Sequence, residues 1–145
     1  KTAYDIMPSL VGSEMCIRDR YNPKTLCKPF GIFSNAVLAP AGQFYFISGQ
    51  VAVDSEGNLV GKGDIKAQTR QVLLNIEAAM SEVGGTIDDV VSVNVFLVNM
   101  EHLAAVHEVR SEFWKINYPA STLVQVSALV DPNYWIEINA TAVIT

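Results

Sequence analysis

A change of hydrophobic period between residues 65 and 98 restricts the fold of this chain more than any other feature. From Ile65 to Val83 apolar residues recur at the 3.6-residue spacing of one buried helix face. From Val90 to Val98 the spacing changes to every second residue, as in a strand with its two faces in different surroundings. The pattern therefore predicts a helix packed on a sheet, in one α+β domain.

Turn and capping residues on either side extend this prediction to the whole domain. Asp64 is a candidate N-cap for the first helix and Gly84-Gly85 its stop, and a second helix is predicted over 101–116, ended by Pro119. Its predicted core stripe consists of Val106, Val109, Phe113 and Ile116. Strands are predicted at 34–38, 44–53, 90–98, 121–129 and 135–144. We expect the first two and the last two strands to form hairpins, in the order β–β–α–β–α–β–β.

Two helices on one face of a single sheet leave the other face for water or a partner. In the last two strands, alternation predicts that Ser121, Leu123 and Gln125, with Glu137 and Asn139, lie on this uncovered face. Their mixed polar and apolar character suits an oligomer interface or a ligand cleft better than bulk solvent. The mean hydropathy of +0.23 also favours self-association.

Length and composition predict one domain at 21–145, preceded by an N-terminal extension, 1–20, outside the fold. Ten basic and fifteen acidic residues give a net charge of −5, which disfavours a nucleic acid as partner. We see neither an apolar run of the roughly 20 residues that a membrane helix needs nor a secretory signal. Two cysteines form no disulfide framework. We therefore expect a cytoplasmic protein.

Few residues suggest chemistry by themselves. The two histidines, His102 and His107, are five residues apart on a helix and cannot share one metal ion. Glu137 is the most informative residue, because it interrupts an otherwise apolar strand. A carboxylate there is either paired in an interface or used as an acid, a base or a water-positioning group. The residues alone leave both possibilities open.

Several separate blocks of the sequence resemble the reactive intermediate deaminase family, also called RidA/YjgF and, in older schemes, endoribonuclease L-PSP. The resemblance covers about 21–145, and the blocks agree in order and spacing. They are FISGQVAV at 46–53, QTRQVLLNI at 68–76, DDVVSVNVFL at 88–97, YPA at 118–120 and IEINATA at 136–142.

This resemblance implies a chorismate-mutase-like α+β fold and a homotrimer whose sheets form a barrel, with three clefts between subunits. It implies hydrolysis of enamine and imine intermediates to 2-oxo acids and ammonia, without a cofactor or metal. It also assigns residues. Glu137 matches the family's water-orienting carboxylate, and Gly49 matches a glycine whose backbone lines the cleft.

Other cleft positions depart from the deaminating members. Ser121 stands where those members carry the arginine that binds the substrate carboxylate. Phe33 stands where they carry an aromatic residue that bears a hydroxyl group, which phenylalanine lacks. His107 replaces a small amide, and Leu123 stands where some members carry cysteine. We therefore expect Ser121 to weaken hydrolysis of 2-imino acids and Ser121→Arg to increase it.

Three functions remain open on the sequence. The first is a hydrolase of a reactive enamine, an imine or a related carbonyl-derived metabolite. The second is a non-catalytic trimer with a ligand-binding or regulatory role. The third is an endoribonuclease or translation inhibitor, which the acidic composition disfavours.

Overall fold

The computed structural model describes residues 19–145, and their order is β–β–β–α–β–α–β–β. The strands are β1 (Asp19–Tyr21), β2 (Ala36–Leu38), β3 (Gln43–Gln50), β4 (Val90–Leu97), β5 (Ala120–Gln125) and β6 (Ile136–Ile144). The helices are α1 (Ile65–Glu82) and α2 (Leu103–Phe113), and single 3₁₀ turns occupy Ile87–Asp89 and Met100–His102. The predicted α+β class is thus confirmed.

The main sheet is mixed, with the strand order β3-β6-β4-β5. Its pairs are antiparallel except β4 and β5, which run parallel. Both predicted hairpins are wrong. Strand β2 pairs with β1 in a separate two-stranded sheet, and β6 lies between β3 and β4 instead of beside β5. Turn residues indicate that the chain reverses, but they do not determine which strand it meets next.

Helix α1 begins and ends where the sequence predicted. The Asp64 side chain accepts a hydrogen bond from the backbone N–H of Ala67 at 3.1 Å, as an N-cap does. At the other end Gly84 has a φ of 73°, and the N–H of Gly85 donates to the Met80 carbonyl at 2.9 Å. This positive φ is the reason for a glycine there.

Helix α2 is shorter than predicted and ends at Phe113. Trp114 turns to extended backbone, becomes buried, and donates its indole N–H to the Ile87 carbonyl at 3.2 Å. Ile116, a predicted core residue, is 79% exposed, whereas Val106 and Val109 are buried as predicted. Arg110 is also buried in this helix, which the apolar pattern did not predict.

The core lies between the helices and one face of the sheet, and it fixes which side chains of each strand are covered. The predicted assignment of residues to the two faces of the sheet is correct for β6, where Ile136 and Ile138 are buried. The same assignment is wrong for β5. The parallel register pairs Ser121 with Val93 and Leu123 with Val95, both buried, so Ser121 and Leu123 lie on the helix side.

The open face of the sheet carries large apolar side chains. Phe44 and Phe46 are 70% and 74% exposed, with their ring centroids 6.2 Å apart. Beside them on β4 and β6, the Asn94 amide donates to the Asn139 carbonyl oxygen at 2.9 Å. This mixture of apolar and polar groups matches the expectation for the uncovered face.

The strand β1 reaches back into the segment that the sequence assigned to the extension. Asp19 and Arg20 pair with Leu38 and Val37, and the Arg20 guanidinium donates to the Tyr118 carbonyl at 3.2 Å. These two residues therefore contact the rest of the described chain. The remainder of the predicted extension, 1–18, lies outside the described residues.

Candidate functional site

A cavity of about 210 Å³ lies between helix α2, strand β5 and the segment around Phe33. Its lining consists of Phe30, Phe33, Met100, Leu103, His107, Arg110, Ser121 and Leu123. Most of these side chains are apolar, and the polar groups come from His107, Arg110 and Ser121. A small apolar pocket with a few convergent polar groups is typical of a small-molecule site.

The wall of the cavity depends on close packing at the loop before β2. Phe30 and Phe33 meet edge to face, with ring centroids 5.4 Å apart and planes at 80°. A Cβ atom on Gly31 would lie 2.6 Å from Cε1 of His107, so only glycine lets the backbone approach this imidazole. The loop therefore holds both the Phe33 ring and the His107 ring in place.

Arg110 supplies a positive charge at the cavity. It is 1% exposed, and its Nη2 donates to the Ile32 carbonyl at 2.8 Å and to the Ser121 hydroxyl at 3.2 Å. Its Nε is buried and has no hydrogen-bond partner in the described part of the chain. Burial lowers the pKa of the guanidinium to about 10, so it remains positively charged at neutral pH.

His107 is half-buried beside this guanidinium. Burial lowers the pKa of its imidazole, and the positive charge of Arg110 lowers it further. Its Nδ1 is buried and has no hydrogen-bond partner within residues 19–145. Both causes of the lowered pKa favour the neutral imidazole.

A second group of candidate residues lies on the open face of the sheet. Gly49, at an irregularity in the pairing of β3 with β6, packs against Glu137. A Cβ atom on Gly49 would lie 2.8 Å from Cδ of Glu137, so the carboxylate rests directly on the glycine backbone. Within residues 19–145 Glu137 forms no ion pair.

The structure thus separates the predicted site residues into two groups. Phe33, His107, Ser121 and Leu123 line the cavity. Glu137 and Gly49 adjoin each other on the opposite face of the sheet. Neither Glu137 nor Gly49 lines the cavity between α2 and β5.

Sequence reasoning missed Arg110, which the structure places at the centre of the first group. A signal existed, because Arg110 follows Val106 by one helical turn and lies beside Val109, inside the predicted core stripe. A charged residue in such a stripe is either at its solvent edge or buried for a reason.

Neither a metal centre nor a membrane helix is found in the part of the chain that the structure describes. The histidines, cysteine and carboxylates of residues 19–145 form no cluster of three or more that could hold a metal ion. No helix in the same range is both long and apolar enough to span a bilayer.

The two-helix, mixed-sheet architecture defines an α+β protein of the Rid type. The family model described as endoribonuclease L-PSP matches residues 24–144, and the chain belongs to this family, which is also called RidA/YjgF. The recognition made from the sequence blocks is thereby confirmed.

Individual relatives agree with this assignment. A RutC family protein of Pyrococcus horikoshii is 43% identical over 115 residues, which are 79% of this chain and 89% of that protein. The crystal structure of YyfB, a Rid family protein of unknown function from Yersinia pestis, has a TM-score of 0.81 at 38% identity. The similarity covers 88% of this chain and 98% of YyfB.

A putative endoribonuclease from Thermotoga maritima has a TM-score of 0.67 at 35% identity. That similarity covers 88% of this chain and 98% of the Thermotoga protein. The names of these relatives therefore support the family without fixing one activity.

Proposed function

We propose that this protein hydrolyses a small reactive imine or enamine in a cleft between subunits of a homotrimer. In this reaction a water molecule adds to the imine carbon, the carbon–nitrogen bond breaks, and a carbonyl compound and ammonia leave. Glu137 accepts a proton from the attacking water and returns a proton to the departing nitrogen. Atoms and charge balance without a cofactor.

The observation that carries this proposal is the position of the Glu137 carboxylate. It rests on the backbone of Gly49 and has no cationic partner within residues 19–145, so it is not held as a structural ion pair in the chain. Any other residue at 49 would push this carboxylate out of its position, because its Cβ atom would overlap the Glu137 side chain.

The sheet topology supports the trimer as the functional unit. Strands β3 and β5 are the two edges of the main sheet, and the open face carries Phe44 and Phe46. If three such sheets close into a barrel, the β3 edge of one copy meets the β5 edge of the next. Gly49 and Glu137 of one copy would then approach Ser121 and Leu123 of its neighbour, which would join the two groups into one cleft.

Turnover of imines generated in situ tests this function. An amino-acid oxidase supplies 2-imino acids, and the rate of ammonia release is measured with and without the protein. We expect Glu137→Gln to reduce the acceleration by about 10²- to 10⁴-fold. Glu56→Gln, at an exposed turn, is the matched control and should retain the parent rate.

Two results would contradict the proposal. Equal rates for Glu137→Gln and the parent would remove Glu137 from the chemistry. No acceleration by the parent across imines of different side chains, together with saturable binding of the 2-oxo acid products, would instead indicate a ligand-binding trimer.

A further inference from the structure

We propose that Arg110 makes the cavity between α2 and β5 a binding site for a small organic anion with an apolar side chain, a monocarboxylate in particular. The recognition of an anion stands on the cavity alone. The identification of that anion as the carboxylate of a substrate rests on the function proposed above.

Arg110 is buried, and no ion pair with an acidic residue of 19–145 balances its charge. Lys66 pairs with Glu108 and Arg70 with Glu112, and neither of these ion pairs involves Arg110. Its hydrogen bonds go to two neutral oxygens, those of Ile32 and Ser121. A buried positive charge without a counter-charge is costly, and a bound anion would offset that cost.

Two unsatisfied polar atoms belong to residues of this one cavity. Within residues 19–145 three buried side-chain atoms lack a hydrogen-bond partner; Nε of Arg110 and Nδ1 of His107 belong to residues that line the cavity, whereas Nδ1 of His102 does not. Buried donors and acceptors are normally satisfied, so two such atoms at one site point to an absent ligand. A guanidinium with free donors prefers a carboxylate, because two parallel hydrogen bonds can form.

The rest of the lining defines the remainder of the ligand. Phe30, Phe33, Met100, Leu103 and Leu123 enclose the cavity with apolar surface. A volume of about 210 Å³ is below that of drug-sized sites and suits a short alkyl or aryl group. His107, whose lowered pKa favours the neutral imidazole, can hydrogen-bond a polar atom between the carboxylate and this group.

This arrangement changes the meaning of Ser121. On the sequence Ser121 marks a lost arginine, but in the structure its hydroxyl accepts a hydrogen bond from an arginine of the neighbouring helix. The positive charge of the cavity is therefore supplied by α2 rather than β5, and Ser121 acts as a positioning residue for the Arg110 guanidinium.

Calorimetric titration with 4-methyl-2-oxopentanoate, and with its methyl ester as a neutral match, tests the inference. We expect the acid to bind and the ester to bind at least tenfold more weakly. Arg110→Gln should weaken acid binding by at least thirtyfold and leave ester binding unchanged. Arg70→Gln, an exposed arginine paired with Glu112, is the control and should bind as the parent does.

Because Arg110 is buried, Arg110→Gln can fail to fold, and Ser121→Asp provides a second test. Its carboxylate would pair with Arg110 inside the cavity and compete with the ligand, whereas Ser55→Asp adds the same charge at an exposed turn outside the cavity. We expect Ser121→Asp to abolish acid binding while keeping a cooperative unfolding transition, and Ser55→Asp to retain binding.

Binding of the ester as tight as that of the acid would overturn the inference, as would unchanged acid binding in Ser121→Asp or in folded Arg110→Gln. Failure of the parent to bind any short-chain carboxylate would also overturn it. Arg110-dependent binding without imine turnover would support the anion site and refute only the proposed hydrolysis.

Discussion

Replacing Ser121 with arginine is the sharpest test of the expectation that Ser121 stands in place of a carboxylate-binding arginine. The sequence alone predicts that Ser121→Arg restores a carboxylate-binding group and raises hydrolysis of 2-imino acids. The structure adds a competing effect, because Nη2 of Arg110 already lies 3.2 Å from the Ser121 hydroxyl. A second guanidinium would therefore enter a site that holds a buried positive charge.

The size of this effect follows from Coulomb's law. Two like charges about 5 Å apart at an effective dielectric constant of about 20 repel by about 3 kcal/mol. The substitution also removes the hydroxyl that accepts from Arg110, which costs about 1 kcal/mol more. For a chain of this size a loss of about 4 kcal/mol lowers Tm by roughly 10 °C or more.

Chemical denaturation and imine turnover, measured on the same preparations, separate the two effects. We expect Ser121→Arg to lose stability without gaining activity. The exchanged double variant Ser121→Arg/Arg110→Ser keeps one positive charge in the cavity and should recover much of that stability. A single variant that is as stable as the parent and more active would refute this reasoning and restore the interpretation made from the sequence.

Three further perturbations test the other parts of the site. Gly49→Ala should push the Glu137 carboxylate from its position and reduce turnover at least tenfold in steady-state assays; parent-like turnover would mean that this contact is dispensable. Phe46→Glu, on the open face, should convert the expected trimer to monomers by light scattering, and a parent that is already monomeric would contradict the barrel. The pKa of His107 is lowered by burial and by Arg110, so below about pH 6.5 the unfolded chain binds a proton that the folded one does not. Stability should therefore fall as pH falls from about 6.5 toward the folded-state pKa, and His107→Gln should flatten this dependence in urea titrations; an unchanged slope would exclude His107 as its cause.

Elements whose boundaries depend on neighbouring residues were predictable from sequence. The cap at Asp64, the stop at Gly84 and the period of α1 are local, since each requires contacts only within one turn of the helix. The same holds for β4 and β6, where alternation correctly identified Ile136 and Ile138 as buried. Glu137 was recognisable for the same reason, because it is a carboxylate that stands between these two apolar residues.

The pairing and register of the strands were not predictable in this way. Turn residues between β5 and β6 indicated a hairpin, but β5 pairs instead with β4 in parallel. A strand like β5, with apolar residues at both Leu123 and Val124, carries no decisive alternation of its own. Its register against β4 places Leu123 on the helix side and leaves Val124 41% exposed.

The sequence by itself determined the α+β class, the family and the candidate carboxylate Glu137, because periodicity, capping and ordered blocks are properties of adjacent residues. Only the tertiary structure decided that Arg110 reaches Ser121 from another element. A substitution on one strand can be offset by a charge on a neighbouring helix. This effect depends on the distance between the two side chains in the folded chain, which the order of the residues does not give. The sequence predicts a cavity without an arginine at position 121, and in the folded chain helix α2 supplies Arg110 to that cavity.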